Sequence, residues 1–144
     1  MTGLELVELA ADLASFGAGR RLDDNAQMML RYANGARGAL WASQVAPGNE
    51  NGLMLRVYGT KGGLQWRQDN PNQMLWSPFE KATRIITRGG PESGNAAATV
   101  KAARTGKKPP KGVHFPTIDD GVKGLAFIEA AVKSSKANGR WVKP

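Results

Sequence analysis

The side chains that most often carry catalysis are scarce in this sequence. It contains no cysteine, which excludes a disulfide framework, a thiol nucleophile and a thiolate zinc site. The single histidine, His114, excludes a multi-histidine metal site, and a hydrolytic triad would have to be built around that one ring. No second histidine or candidate base stands beside His114 in the sequence, so we expect it to lie solvent-exposed in a connector.

Two pairs of adjacent aspartates could supply acid and base groups or magnesium ligands. Asp23 and Asp24 lie in a region predicted to be extended, where neighbouring residues point to opposite faces. Asp119 and Asp120 stand where a helix is predicted to begin, and a helix N-terminus favours negative charge. We therefore expect structural roles for both pairs.

Two glycine-containing strings are similar to phosphate-binding loops at first sight. Residues 17–19 begin like a dinucleotide fingerprint, but Leu22 holds the third glycine position and no helical pattern follows. The string at 59–63 has its lysine before the glycine pair and no Gly-Lys-Ser/Thr. A phosphate cradle needs the N-terminus of a following helix, so both strings predict turns.

A polar loop rich in amide side chains, at 43–52, has a different character. Amide groups both donate and accept hydrogen bonds, and loops of this kind can bind hydroxylated ligands. Gln44, Asn49 and Asn51 are therefore our candidates for substrate-facing groups. The alternative is a solvated loop that closes two strands, and the sequence leaves both open.

The net charge of +8 suggests nucleic-acid binding until it is divided along the chain. Residues 1–100 hold 10 Lys/Arg against 9 Asp/Glu, whereas residues 101–144 hold 10 against 3, so the excess is C-terminal. A Gly- and Pro-punctuated connector over 91–116 carries much of it, without interleaved aromatics that would stack on bases. We therefore expect a solvated basic linker and no nucleic-acid partner.

The length of 144 residues fits one domain, over 1–144, with a hydrophobic core. The longest apolar stretch, near 125–132, is far shorter than the roughly 20 residues of a membrane span. The first residues also lack the basic region and apolar run of a secretory signal. These features predict a soluble, cytoplasmic protein.

Alternation and turn residues predict mainly strands before residue 90. The strongest local signal is Asn34-Gly35, because Asn-Gly supplies the positive φ angles of a tight hairpin turn. Bulky apolar residues fall on both sides of the strands, as Met28 and Met29 show, so each sheet face should be covered. The predicted strands are Leu4–Phe16, Asn25–Tyr32, Arg37–Ala46, Leu53–Tyr58, Leu64–Gln68, Gln73–Ser77 and Ala82–Thr87.

A helix of about five turns is predicted after Pro116. It begins with a string similar to a capping box, Thr117-Ile-Asp-Asp120, and Gly139 ends it. Its apolar stripe is Ile118, Val122, Leu125, Ile128 and Val132. We expect this helix to cover one sheet face and a shorter helix to form over Asn95–Arg104. Since helical cover is thin beside so many strands, we expect the other face to pack against a partner subunit in a homo-oligomer.

Four strings, at 11–24, 43–53, 55–66 and 115–129, together resemble the C-terminal domain of Gfo/Idh/MocA-type oxidoreductases. The resemblance covers residues 4–88 and 105–142. It implies an α+β domain, in two layers of α and β structure, with a large, mainly antiparallel open sheet. Helices would pack on one face of the sheet, and subunit contacts would lie on the other.

Members of this family pair the domain with an N-terminal Rossmann domain that binds NAD or NADP, and they oxidise or reduce sugars, inositols and related polyols. Hydride transfer needs that cofactor. The sequence contains neither the Rossmann half, nor the Glu-Lys-Pro lysine, nor the Asp/His motif that would precede Met1, and its segment between Gly90 and Gly106 is shorter than in relatives. We therefore expect a truncated or internally deleted relative with no catalytic residue, no cofactor and no metal of its own.

The resemblance predicts the substrate and oligomerisation half of an NAD(P)-dependent sugar or polyol dehydrogenase, inactive by itself. A second hypothesis is a non-enzymatic binding or assembly module that associates through its open sheet face. A basic nucleic-acid module is the third, and it would show binding that falls steeply with salt.

Overall fold

The computed structural model of the chain describes residues 3–90 and 117–144. The chain divides into two compact units, one of residues 1–47 with 114–144 and one of residues 48–113. The described residues form seven strands and one helix. These are β1 (Leu6–Ala14), β2 (Asn25–Tyr32), β3 (Arg37–Ser43), β4 (Met54–Gly59), β5 (Gly62–Arg67), β6 (Gln73–Pro78), β7 (Arg84–Thr87) and α1 (Ile118–Lys136).

The first unit contains an antiparallel sheet in the order β1-β2-β3. The predicted turn between β2 and β3 is confirmed: Gly35 has φ +87°, and its N–H donates to the Tyr32 carbonyl at 2.9 Å. The Asn34 side-chain oxygen accepts from the backbone N–H of Ala36 at 3.1 Å. This turn fixes the register of the hairpin, because a slip of one residue would exchange the two faces of both strands.

Both ends of α1 lie where the sequence predicts them. The Thr117 side chain accepts from the Asp120 N–H at 3.2 Å, and the Asp120 carboxylate accepts from the Thr117 N–H at 2.9 Å. This reciprocal capping box satisfies N–H groups that a helix start otherwise leaves unpaired. At the other end, Gly139 has φ +74°, and its N–H donates to the Ser134 carbonyl at 3.0 Å.

The core of the first unit forms where α1 packs against β1. Leu9 is completely buried, and Ala11, Ala130 and Ala131 lie around it. The buried Ser134 hydroxyl accepts from the Ala11 N–H at 2.9 Å and donates to the Arg140 carbonyl at 2.7 Å. Small residues on both elements allow this close approach, so that a helix side chain reaches the backbone of the strand.

The side of α1 that faces the sheet differs from the one expected. Ala130, Ala131 and Ser134 are buried and Phe127 packs against the core, whereas the predicted apolar stripe is exposed. We call this exposed set the outer stripe: Ile118, Val122, Leu125, Ile128 and Val132. Hydrophobic spacing finds an apolar helix face, but it does not identify the face that packs closely, and here the alanine and serine side does.

The outward face of the first sheet is open to solvent in the described structure. Directly opposite residues share a face, and the register pairs Gln27 with Trp41 and Met29 with Ala39. Met29 and Trp41 are both more than half exposed. The Trp41 indole N–H donates to the Asn25 side-chain oxygen at 2.9 Å, which holds the ring against the sheet.

The second unit contains an antiparallel sheet in the order β4-β5-β6-β7. The tight turn into β5 requires glycine at position 62, which has φ +141° and lies where a Cβ would collide with the Ser77 carbonyl. The register gathers large apolar residues on one side, which we call the Val57 face: Leu55, Val57, Leu64, Trp66, Met74, Trp76 and Ile86. No residue between 48 and 90 is buried.

The α+β class, the mainly antiparallel strands and a helix packed on one sheet face are confirmed. The strands are divided between sheets of three and four, where the sequence suggested one large sheet. The expected helix over Asn95–Arg104, the connector over 91–116 and His114 lie outside the described residues. A single domain over 1–144 stays a prediction.

Replacing the central core residue should destabilise the first unit. We expect Leu9→Ala to lower the free energy of unfolding by about 2–5 kcal/mol, because the substitution leaves a cavity that the close α1–β1 packing cannot fill. The measurement is urea denaturation followed by far-UV circular dichroism. Leu22→Ala, at a side chain that is 79% exposed, is the control and should change stability by no more than about 0.5 kcal/mol. Equal losses for the two variants would contradict this description of the core.

Candidate functional site

The loop after β1, residues 15–24, is organised around one buried carboxylate. Asp24 accepts from the N–H of Phe16 at 2.9 Å and from the N–H of Gly17 at 2.8 Å. These two backbone hydrogen bonds are the main reason that the pKa of Asp24 lies below its ordinary value, and the nearby Arg20 guanidinium lowers it further. Asp24 therefore stays ionised and closes the loop.

Arg20 connects this loop to the candidate residue Gln44. Its Nε lies 3.5 Å from an Asp24 carboxylate oxygen, and its Nη1 donates to the Gln44 side-chain oxygen at 3.1 Å. The Gln44 backbone N–H donates to the Asp24 carbonyl at 2.8 Å. A Cβ on Gly17 would lie only 2.7 Å from the Arg20 Nε, so glycine leaves the room that the guanidinium occupies.

The Arg20–Gln44 pair presents hydrogen-bond donors to solvent. Arginine has only donors, so the Gln44 amide must turn its oxygen toward Arg20, which directs the amide NH₂ outward. The Arg20 side chain is 43% exposed and keeps further N–H groups accessible. Such a pair suits a ligand with acceptor oxygens, for example hydroxyl groups or a carboxylate.

The other two candidates lie in the second unit. Asn49 and Asn51 are exposed, and their backbone carbonyls accept from Gly52 at 3.4 Å and from Leu53 at 2.9 Å in a turn. Asn51 has φ +47°, a conformation that asparagine tolerates better than most residues. Within the described residues, neither side-chain amide makes a hydrogen bond, so both are available to a ligand. A substrate-facing role for Gln44, Asn49 and Asn51 stays a prediction.

The sequence predicts only a turn at residues 17–19 and indicates no role for Arg20. Its position depends on Asp24, four residues later, which folds the loop back on itself. The only sequence feature that could indicate this loop is Gly17 followed seven residues later by Asp24. Glycine and aspartate are common in loops of many kinds, so this pair of residues does not predict the position of Arg20. Gln44 was found because its amide belongs to a polar run after a strand.

The remaining aspartates have no arrangement suited to acid–base chemistry. Asp23 and Asp119 are exposed, and Asp120 is held in the capping box, where the Thr117 N–H lowers its pKa. Among residues 3–90 and 117–144, no three His, Asp or Glu side chains come together as metal ligands. Within the same residues, no helix has the length and hydropathy to cross a bilayer.

Comparisons with known proteins found similarity to oxidoreductases. Residues 1–65 match the family model described as the GFO/IDH/MocA C-terminal domain. The structure is similar to that of an oxidoreductase from Sinorhizobium meliloti, with 46% identity and a TM-score of 0.88, over 98% of this chain and 47% of that one. The sequence is 25% identical to the uncharacterized oxidoreductase YfiI of Bacillus subtilis, over 99% of this chain and 43% of the relative.

A structure of an inositol dehydrogenase homolog from Azotobacter vinelandii, complexed with NADH and myo-inositol, has the same fold. Its TM-score is 0.83 at 24% identity, over 99% of this chain and 45% of the homolog. The chain thus spans less than half the length of each of these relatives. The alignment with YfiI extends over 170 residues, more than the 144 of this chain, so that relative contains segments without a counterpart here.

The residues that the structure describes do not fit a nicotinamide dinucleotide. Their strands pair antiparallel, so they contain no βαβ unit, and residues 17–19 lead into a loop and a strand instead of a helix. The N-terminus of α1 is occupied by the carboxylates of Asp119 and Asp120, which would repel a pyrophosphate.

The lowered pKa of Asp24 predicts a pH-dependent stability. Because the folded-state pKa lies below the ordinary value of 3.8, the stabilisation is complete above pH 3.8 and is lost as the pH falls through the folded-state pKa. The melting temperature of the wild type should therefore exceed that of Asp24→Asn most at neutral pH, and the two melting temperatures should converge in acid. Asp23→Asn, at the exposed neighbour, is the control and should follow the wild type throughout. A wild-type advantage over Asp24→Asn that persists unchanged at pH 2 would refute this role.

Proposed function

We propose that this chain is the substrate-binding and oligomerisation half of a sugar or polyol dehydrogenase that uses NAD or NADP. The proposal is supported by the match of residues 1–65 to the GFO/IDH/MocA C-terminal domain model. In this proposal the cofactor that accepts the hydride is bound by the other half of the enzyme, so this half is inactive by itself. The observation that carries the proposal is the likeness to the Sinorhizobium meliloti oxidoreductase, which extends over 98% of this chain but only 47% of that enzyme.

The substrate contacts in this proposal are hydrogen bonds to hydroxyl groups. Gln44 offers its outward NH₂, held in orientation by Arg20, and Asn49 and Asn51 offer exposed amides that can donate or accept. A polyol needs both kinds of partner, because each hydroxyl donates one hydrogen bond and accepts others. Each of these groups is proposed as a separate substrate contact, Gln44 in the first unit and Asn49 and Asn51 in the second. The reacting carbon would meet a cofactor that this chain does not hold.

The oligomerisation role rests on the Val57 face. It places two tryptophans, a methionine and four aliphatic residues side by side on four strands, of which Val57 is exposed and the other six are only half-buried. A monomeric protein rarely leaves so many large apolar residues together in water. A second copy of the chain seated on this face would remove them from solvent and give the second unit a core.

A non-enzymatic assembly module is the second candidate. It is favoured by the lack of a dinucleotide site in the described residues, and it uses the same Val57 face without any substrate. The two candidates differ in their response to a polyol. The dehydrogenase half should bind one when it is joined to a cofactor domain, whereas the assembly module should bind none.

Two neighbouring residues of β4 provide a matched test of the association. Val57 lies on the Val57 face and Tyr58 on the opposite face, and both are exposed. We expect Val57→Lys to raise the dissociation constant of the oligomer by at least about tenfold, because the association would bury an unpaired charge. Sedimentation equilibrium measures the constant. Tyr58→Lys should leave it nearly unchanged, and a monomeric wild type or equal effects of the two lysines would refute association through this face.

The substrate role is tested in a chain restored to full length. We would fuse the cofactor half of the Sinorhizobium meliloti oxidoreductase to this chain and measure NAD-dependent oxidation of a panel of sugars and polyols, myo-inositol among them. Loss of one neutral hydrogen bond of about 0.5–1.5 kcal/mol predicts that Gln44→Leu raises KM by between about twofold and tenfold. Gln27→Leu, at an exposed amide on β2, is the control and should leave KM unchanged. An active fusion whose KM is unmoved by Gln44→Leu would remove Gln44 from the site, and fusions that fold but oxidise no member of the panel would favour the assembly module.

A further inference from the structure

The two edges of the first sheet differ in how their backbone groups are satisfied. Along the outer edge of β1, the N–H groups of alternate residues point away from β2, and a helix side chain or the tail after α1 accepts from each. These hydrogen bonds run from Leu9 to the Val142 carbonyl (2.9 Å), from Ala11 to the Ser134 hydroxyl (2.9 Å) and from Leu13 to the Ser135 hydroxyl (3.1 Å). This edge is therefore closed to a further strand.

The edge of β3 has no such cover in the part of the chain that the structure describes. Alternate residues of an antiparallel strand turn their backbone groups to opposite sides. Since the Ala11 N–H points away from β2, the backbone groups of its opposite residue, Met28, point to β3 and bond there with Leu40. The alternate residues of β3 on either side of Leu40 therefore face outward, and within residues 3–90 and 117–144 their backbone N–H and C=O groups have no hydrogen-bond partner. These outward residues are Arg37, Ala39, Trp41 and Ser43.

β3 also lacks the features that usually prevent an edge strand from pairing. Native sheets protect their edges with proline, charges, a bulge or a short strand. β3 has seven residues without proline, keeps an unbroken register with β2, and carries its one charge, Arg37, at its end. The outer strands of the second sheet differ, because Arg56 lies inside β4 and β7 has only four residues. Among these edges, β3 is the one best suited to receive another strand.

A second copy of β3 satisfies the open edge. A row of alternating N–H and C=O groups is complemented by another extended strand. When two β3 strands run antiparallel with the two Leu40 residues opposite each other, Ala39 lies opposite Trp41, and Arg37 lies opposite Ser43. Every outward N–H and C=O group then meets its complement in the other copy. No other two-fold register pairs all seven residues of the strand.

The side chains fit this register on both faces. On the outward face, the Trp41 indole is held toward β2 by Asn25, and the residue opposite Trp41 in the other copy is the small Ala39. On the face that carries the core, Leu40 lies beside Met28 and is only half-buried, because β3 ends the sheet. Contact between the two Leu40 side chains would extend this apolar row from one copy into the other.

The charge of β3 favours the antiparallel arrangement over a parallel one. In the register just given, the two Arg37 residues lie at opposite ends of the paired strands, roughly 20 Å apart at about 3.4 Å per residue. A parallel pair in register would instead place the two guanidinium groups side by side, which is destabilising. The antiparallel pair thus brings no like charges together.

From these observations we infer that the outer edge of β3 is a self-association edge, to which the β3 strand of a second copy of this chain adds antiparallel. The three-stranded sheets of the two copies then become one continuous sheet, with a two-fold axis at Leu40. The edge is distinct from the Val57 face, and this association does not depend on the proposed function.

The test uses the Val57→Lys background, in which association through the Val57 face is removed. We expect this variant still to form dimers in sedimentation equilibrium. Ala39→Pro added to it should raise the dissociation constant by at least about tenfold, because proline removes an outward N–H and leaves the bonds to β2 in place. Met29→Lys is the matched control, since Met29 is exposed directly beside Ala39 but lies on the central strand.

Far-UV circular dichroism confirms that each variant is folded. If Ala39→Pro does not fold, Ala39→Lys takes its place, because a lysine on an edge strand also opposes pairing. Equal effects of the substitutions at Ala39 and Met29 would contradict association through the edge.

The absence of cysteine in the sequence allows a direct test of the register. Two copies of Leu40→Cys meet at the two-fold axis, at a Cα–Cα distance of about 4.5 Å that a disulfide can span. Ala42→Cys is the control, because its two copies are about 13 Å apart along the strands. Oxidation should therefore link Leu40→Cys and leave Ala42→Cys unlinked, and the reverse result would overturn the proposal.

Amide hydrogen exchange distinguishes the remaining outcomes. The N–H groups of Ala39 and Trp41 should be protected only at protein concentrations above the dissociation constant. A monomeric Val57→Lys variant in which both exchange rapidly would show an edge that no strand pairs with, and protection that is independent of concentration would assign the edge to another part of the same chain. Either result would overturn the proposal. Neither bears on the Val57 face, whose test is the comparison of Val57→Lys with Tyr58→Lys in the otherwise unchanged chain.

Discussion

The close packing of α1 on β1 is the contact on which the first unit depends. The Ser134 hydroxyl lies buried between them and is satisfied on both sides, accepting from Ala11 and donating to Arg140. The Arg140 contact brings the tail after α1 back toward the sheet, where Val142 exchanges two backbone hydrogen bonds of 2.9 Å with Leu9. A bulky residue at position 134 would separate helix from strand and leave the Ala11 N–H buried without an acceptor, at a cost of about 1–3 kcal/mol.

The packing of α1 on β1 also illustrates why some features could be predicted from the sequence and others could not. Turns and caps are set by a few adjacent residues, so Asn34-Gly35 and Thr117 with Asp120 were sufficient to place a hairpin and a helix start. The packed side of α1 is set by the distance between two elements that are far apart in the sequence. Hydrophobic spacing favoured the outer stripe, whereas close approach to β1 selected alanine and serine. The division of the strands into two sheets has a different cause: within the described residues every strand pair joins neighbours in the sequence, and β3 does not pair with β4.

The candidate site shows the same separation between local and distant causes. Gln44 was found from the amide composition of its loop, a local property. Arg20 was missed because its position depends on Asp24 closing the preceding loop, and the carboxylate does so by accepting two backbone N–H groups. The sequence placed Asp24 correctly among structural residues but did not show that its partner would orient the amide of Gln44. When a polar site is assembled by the closure of a loop, the residue types in the sequence therefore predict only some of its members.

The two units differ in what they need for stability. The first has buried residues of its own, because it includes the helix that covers one face of its sheet. The second is a stack of neighbouring hairpins whose register is fixed locally, yet it buries no residue between 48 and 90. Cross-strand pairs contribute only about 0.2–1 kcal/mol each, which does not offset the ordering of four strands without a core. Under the proposed association through the Val57 face, folding of this unit and binding of its partner are a single equilibrium, so its stability rises with protein concentration.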